Sequence, residues 1–329
     1  MPVTRHVQVV REWCPETPAG SPDLVGYGPQ VVRNTYQRAN TLKQLNYQLK
    51  QLCQRNRDGS HATQRNRERI LTLIADQLLV LGYRGMSARS LKPKHIDALV
   101  KHWRNAELSP GTLKNRMSAL RWWAQKVNRE NVIARDNSFY GIPDRQFVTG
   151  ESRAVAIENE SLDRVRDKHV RMSLELQQAF GLRREEAIKF QPAYADRGDH
   201  IVLKASWTKG GKAREVPIRD ASQRTVLNRA KGLAKSGSLI PGERTYRQQM
   251  RIYERHTANA GLSKLHGLRH AYAQRRYVEI TGLVAPAAGG PAASMLNPQQ
   301  RVLDRAARLT ISQELGHERE QITSVYLGR

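Results

Sequence analysis

A chain of 329 residues with 39% hydrophobic side chains can bury real cores, which excludes a disordered protein and favours two domains. Its formal net charge of +25 and isoelectric point near 10.6 point to a polyanionic partner, most often nucleic acid. No run approaches the roughly 20 apolar residues of a membrane helix, and the two cysteines, Cys14 and Cys53, offer neither a disulfide framework nor metal-ligand spacing, so a reducing cytoplasm and no metal or cofactor are expected.

Residues 1–34 read as a flexible leader. Pro15, Pro18, Gly20, Pro22, Gly26, Gly28 and Pro29 break regular structure, and Arg5, Arg11 and Arg33 are balanced by Glu12, Glu16 and Asp23. Residues 35–145 read as a small helical domain. Leu42, Leu45, Leu49 and Leu52 recur at helical steps behind Thr41 as N-cap. Ile70, Leu71, Ile74, Leu78 and Leu81 mark a second helix ended by Gly82, and Ile96, Leu99, Val100 and Trp103 a third, with Pro93 near its start. Ser109-Pro110 opens a fourth, which turns Leu113, Met117, Leu120, Trp123 and Val127 inward. This domain holds 21 Lys and Arg against 8 Asp and Glu, a net +13 on its outer faces. Such a body suits gripping a DNA backbone, with Lys114, Arg116, Arg121 and Lys126 as candidate contacts.

Asp136-Asn137-Ser138, Gly141-Ile142-Pro143 and Thr149-Gly150 carry linker signals, and the domain boundary is placed at a linker over residues 146–154. Residues 155–329 read as a second, mostly helical domain with one sheet element. There His200-Ile201-Val202-Leu203-Lys204 and Arg214-Glu215-Val216-Pro217-Ile218 flank a Gly-Gly turn as a β-hairpin. The Gly/Ala/Pro-rich residues 281–298 read as a flexible inserted loop.

The second domain also holds the residues that carry chemistry. Tyr326 lies nine residues after His317, near the carboxyl end. A free tyrosine ionises near ~10, so it needs neighbouring cations that favour the phenolate and stabilise charge on a phosphorus transition state. Arg183 and Arg269 offer planar forks that fit phosphate oxygens, and Arg184 competes with Arg183 for that part. Lys209, in the hairpin turn, is placed to give a proton to a leaving oxygen, with Lys212 and Arg214 as alternatives or as DNA contacts. His266 and Arg269 are one helical turn apart, so an acid–base group stands beside a phosphate clamp. His270 reads as a packing neighbour, and His317 as the cap or start of the short helix that carries Tyr326. Singly these signals are weak, since H-x-x-R occurs often by chance. In order they are strong.

The ordered set resembles the tyrosine recombinase family of phage-type integrases over nearly the whole chain. Gly181-Leu182-Arg183-Arg184-Glu185-Glu186 is similar to the family's first arginine box, which implies Arg183 as clamp and Glu186 as the buttress behind it. Thr208-Lys209-Gly210-Gly211-Lys212 matches its hairpin lysine, His266-Gly267-Leu268-Arg269-His270 its H-x-L-R-H box, and Leu315-Gly316-His317 with Tyr326 its final box and nucleophile. The resemblance implies a mainly α fold with a small β-sheet (α+β), in which a helical core-binding domain and a mixed α/β catalytic domain close on double-stranded DNA. It implies a covalent 3′-phosphotyrosyl intermediate formed without metal or ATP, and a homotetramer acting on two recombination sites, with DNA-bending accessory proteins as possible partners at the bacterial nucleoid. A type IB-like topoisomerase or dimer resolvase with the same chemistry, and a non-catalytic DNA-binding protein on this scaffold, are the competing readings. Two departures stand out. His317 follows Arg269 by 48 positions, a longer interval than the family commonly shows, and only Leu327-Gly328-Arg329 follow Tyr326.

Overall fold

The computed structural model describes residues 44–329 apart from Thr149 and Glu318, so the leader, Cys14, Thr41 and Leu42 lie outside the described residues. The chain divides into two compact units, one ending at Arg145 and one beginning at Gln146.

The first unit is helical. Helix α1 runs over residues 44–55, α2 over His61–Val80, α3 over Pro93–Asn105 and α4 over Pro110–Lys126. Ser60 and Ser109 cap α2 and α4 by accepting the amides of Thr63 and Thr112, and Pro93 and Pro110 occupy first helical positions that lack an amide partner anyway. Helix α2 starts well before Ile70, because its first turns carry Gln64, Arg65, Asn66 and Arg67 and so show no apolar stripe. Leu49, Leu71, Ile74, Leu78, Ile96, Leu99, Met117 and Leu120 pack around Trp103 and Trp123, all buried. Both indoles are satisfied: Trp103 Nε1 donates to Gln77 Oε1 at 2.8 Å and Trp123 Nε1 to Ala88 O at 2.7 Å. The linker signals at 136–143 belong inside this unit, because Tyr140 and Ile142 are buried in its core.

The second unit carries α5 (Asn159–Asp163), α6 (Lys168–Phe180), α7 (Arg184–Lys189) and α8 (Pro192–Ala195). It continues with β1 (His200–Leu203), β2 (Arg214–Pro217), α9 (Ala221–Ala234), α10 (Tyr246–Asn259), α11 (Gly267–Thr281), α12 (Pro298–Glu314) and α13 (Glu320–Leu327). Strands β1 and β2 pair antiparallel in the register His200↔Pro217 to Leu203↔Arg214 and form the sheet seen among the described residues. The connection is longer than a tight turn. Trp207, buried against Phe190, draws Ala205–Trp207 into a 3₁₀ turn before the Gly-Gly tip. One core gathers Leu176, Phe180, Leu203, Val216, Tyr272, Ile311 and Leu315 between α6, α11, α12 and the sheet. A second packs Val170, Leu174, Ile188 and Tyr253 between α6, α7 and α10.

The reading of 281–298 as a flexible loop is corrected. Ala285 and Leu296 are buried, Pro286–Ala288 and Ala293–Met295 form 3₁₀ turns, and α13 packs on the first of these. Small side chains let this backbone fold closely onto the unit, which composition alone cannot distinguish from looseness. The rest of the long interval between Arg269 and His317 is α12, opened by Pro298 behind the Asn297 cap.

Candidate active site

Four chain segments converge on two backbone carbonyls. Helix α6 stops at Gly181, whose φ of +61° is a left-handed cap. Arg183 then stands at the N-cap of α7, Arg269 lies in the first turn of α11, and Leu315-Gly316-His317 forms the turn after α12. Arg269 is 1% exposed and donates through Nη1 to Gly181 O at 2.6 Å and through Nη2 to Leu315 O. Arg183 Nη2 donates to the same Leu315 carbonyl at 3.3 Å and lies 3.5 Å from His317 Nε2. The two guanidiniums are thus held side by side. Arg184 points elsewhere, to the exposed Glu254 at 3.2 Å, which separates two arginines that spacing could not.

Glu186 is fully buried behind Arg183. Its Oε1 accepts from Arg183 Nη1 at 2.8 Å and its Oε2 from the Arg183 amide at 2.7 Å. Arg214 adds a fork, with Nη1 and Nη2 on the same two oxygens at 2.8 and 2.7 Å. Against the cost of burial, these guanidiniums hold the Glu186 carboxyl down at about 2. Arg214 is therefore corrected from a DNA contact to a buried partner of Glu186.

Helix α13 brings Tyr326 back to this cluster, 5% exposed. Arg269 Nε donates to Tyr326 Oη at 3.3 Å, and His317 Nε2 lies 3.3 Å from the same oxygen. The phenol ring rests 4.7 Å from the His270 ring and 6.2 Å from that of His266. His317 stands in the turn before α13 rather than within that helix. Lys209 is exposed at the hairpin turn and makes no hydrogen bond or ion pair among the described residues, yet its charge reaches His266 and helps lower that imidazole.

Residues 42–133 match the family model "Phage integrase, N-terminal" and residues 148–275 match "Integrase". The chain belongs to the tyrosine recombinases of the phage integrase type. No curated protein matches it in sequence. Its fold is similar to the Tn1549 transposon integrase in complex with circular intermediate DNA, with 14% identity, 86% of this chain and 95% of that one covered, and a TM-score of 0.52. It is also similar to a lambda integrase tetramer bound to a Holliday junction, with 15% identity, 91% and 83% covered, and a TM-score of 0.52. XerH site-specific recombinase bound to difH aligns with 16% identity, 90% and 85% covered, and a TM-score of 0.51.

In this recombinase the expected DNA contacts of α4 divide. Arg121 donates to Ala134 O and Asn137 Oδ1, and Arg116 lies over the Trp103 ring with Nη1 buried. Both are half-buried, Arg121 tied by these bonds and Arg116 resting on the ring. Lys114 and Lys126 pair with Asp144 and Asp58, partners half or more exposed, which a phosphate can displace. Lys212 is exposed near the hairpin tip. Lys92, Lys94 and Lys101, on or beside α3, are further exposed cations of the same unit that fall outside the fourth helix. Gln274 was also missed. It lies eight residues after His266 on the α11 face and donates to Tyr326 O at 3.0 Å, a helical spacing that could have revealed it. Among the described residues no helix is long and apolar enough to cross a membrane.

The imidazoles give the recombinase a pH signature. Burial, then the charge of Arg269, Arg183 and Arg214, holds His317 down at about 4. Burial, then His266, Arg153 and Arg269, holds His270 at about 4, and His266 is lowered by burial and Arg269. Folded values below the unfolded ~6.5 mean that the unfolded chain takes up protons first, so stability is lost as pH falls from about 6.5 toward 4. Glu186 acts in a lower window, its contribution persisting above ~4.5 and disappearing toward 2. Thermal unfolding of the DNA-free protein is expected to show a falling midpoint between pH 7 and 4.5, flattened in His317→Asn. A midpoint that holds or rises over that range contradicts this assignment.

Proposed function

We propose that Tyr326 is the nucleophile of a mobile-element integrase and attacks a scissile phosphate held by Arg183 and Arg269. The observation that carries this reading is that one chain places its own Tyr326 Oη 3.3 Å from both Arg269 Nε and His317 Nε2. With its proton on Nδ1, the neutral His317 ring accepts the phenol proton at Nε2. A bound phosphate offsets the arginine charges that, after burial, keep that ring's basicity low, so the ring becomes a better acceptor when substrate arrives. The phenolate oxygen bonds to phosphorus, the bond to the 5′ oxygen breaks, and the two guanidiniums hold the charge that builds on the non-bridging oxygens. Lys209, on the exposed hairpin turn, gives its proton to the leaving 5′ oxygen, and His266 hydrogen-bonds the phosphate. The phosphodiester energy stays in the 3′-phosphotyrosyl link, so a 5′ hydroxyl reseals the strand by the reverse step without ATP.

Four copies on two DNA sites would exchange strands through a junction of the kind that the lambda integrase tetramer holds. The Tn1549 likeness, to a transposon's integrase, supports a mobile-element setting; a place at the bacterial nucleoid and DNA-bending partners belong to the proposal. The test is to incubate the protein in EDTA with nicked duplexes drawn from the DNA flanking its gene. A protein–DNA adduct on a denaturing gel is expected. Tight binding with no adduct contradicts the reading, and relaxation of any supercoiled DNA without a sequence requirement would move it to a type IB-like topoisomerase.

A further inference from the structure

We propose that Arg214 is a positioning residue of the cleavage site, one that neutralises Glu186 and so leaves the charge of Arg183 to the scissile phosphate. The proposal rests on the cleavage reading above. Glu186 is fully buried and carries one negative charge. With Arg183 as its sole partner it would form an internally neutral pair, and the guanidinium would be drawn inward. Instead Arg214 takes both carboxylate oxygens in a fork, while the Arg183 side chain touches Oε1 through Nη1 alone. Its Nη2 is left facing Leu315 O and His317. One carboxylate against Arg183, Arg214 and Arg269 leaves a net charge of +2 around the phosphate position.

Arg214 is itself held in place. Its Nε donates to Glu314 O at 2.9 Å, one residue before the carbonyl that both clamp arginines share. Gly316 makes room for it: at φ +68°, a Cβ there would lie 2.9 Å from Arg214 Cδ. Arg214 also opens β2, five residues after Lys209, so one side chain anchors the hairpin, the α7 carboxylate and the turn that bears His317. Its charge is among those that lower His317.

The test compares Arg214→Met, Arg214→Lys, Glu186→Gln and the Glu186→Gln/Arg214→Met double variant. It reads adduct formation at saturating nicked DNA and the His317 ring titration by NMR in DNA-free protein. Arg214→Met is expected to slow adduct formation about 10²-fold at unchanged DNA affinity, and to raise the His317 midpoint by about one unit. Arg214→Lys, which keeps the charge, should retain most of the rate. In the Glu186→Gln background, Arg214→Met should change the rate by less than about threefold, because the residue acts through that carboxylate. An equal loss in both backgrounds, or an Arg214→Met protein with wild-type rate and titration, overturns the proposal. If Arg214→Met does not fold, Arg214→Lys and the double variant decide it by the same criteria. If wild type itself forms no adduct, the cleavage reading fails, while an unmoved His317 titration refutes the inference separately.

Discussion

Tyr326→Phe is expected to abolish the covalent protein–DNA adduct while leaving DNA affinity and fold nearly intact. The hydroxyl is the one group removed, and without it no phenolate can bond to phosphorus. Little else depends on it. The ring keeps its place against His270 and His266, and Gln274 still holds the backbone carbonyl of residue 326. Arg269 and His317 both lose their bonds to Tyr326 Oη, but Arg269 keeps Gly181 O and Leu315 O. The cost in stability is about 1–2 kcal/mol, the size of two hydrogen bonds. Gel-shift affinity, unfolding midpoint and adduct yield, measured on the same preparation, check the three parts together. A residual adduct in the variant would point to a different nucleophile.

The second large effect is expected for the clamp. Arg183→Lys and Arg269→Lys should each lower the adduct rate by about 10²–10³-fold, whereas Arg184→Lys should change it by less than about twofold. A lysine keeps the charge but offers one point in place of a fork. At position 269 it cannot reach Gly181 O, Leu315 O and Tyr326 Oη together, as the guanidinium does. At position 183 it cannot engage Glu186 while also facing Leu315 O and His317. Arg184 has the exposed Glu254 as its partner, a pair worth little in water. Equal losses at 183 and 184 in single-turnover cleavage would contradict the assignment.

The sequence displayed the chemistry more fully than the packing. His266, Arg269, His317 and Tyr326 sit in short ordered motifs whose residue types suit a phosphate, so they could be read before any fold was known. The four helices of the first unit were legible from apolar spacing, apart from the polar start of α2, which has no stripe to read. Arg214 was misread because a strand residue beside a basic turn looks like a surface cation, and nothing in one dimension shows that Glu186 lies buried opposite. The contacts of Arg121 and Arg116 were hidden likewise, since Ala134 and the Trp103 ring are a turn or a helix away. Residues 281–298 were misread because Gly, Ala and Pro signal looseness, although the same small side chains allow close packing under α13.

The most direct measurement is to digest the trapped adduct with protease and locate the nucleotide by mass spectrometry. The account predicts phosphotyrosyl linkage on the peptide that contains Tyr326. Linkage on a peptide containing another tyrosine of this unit, such as Tyr253, Tyr272 or Tyr277, would contradict it.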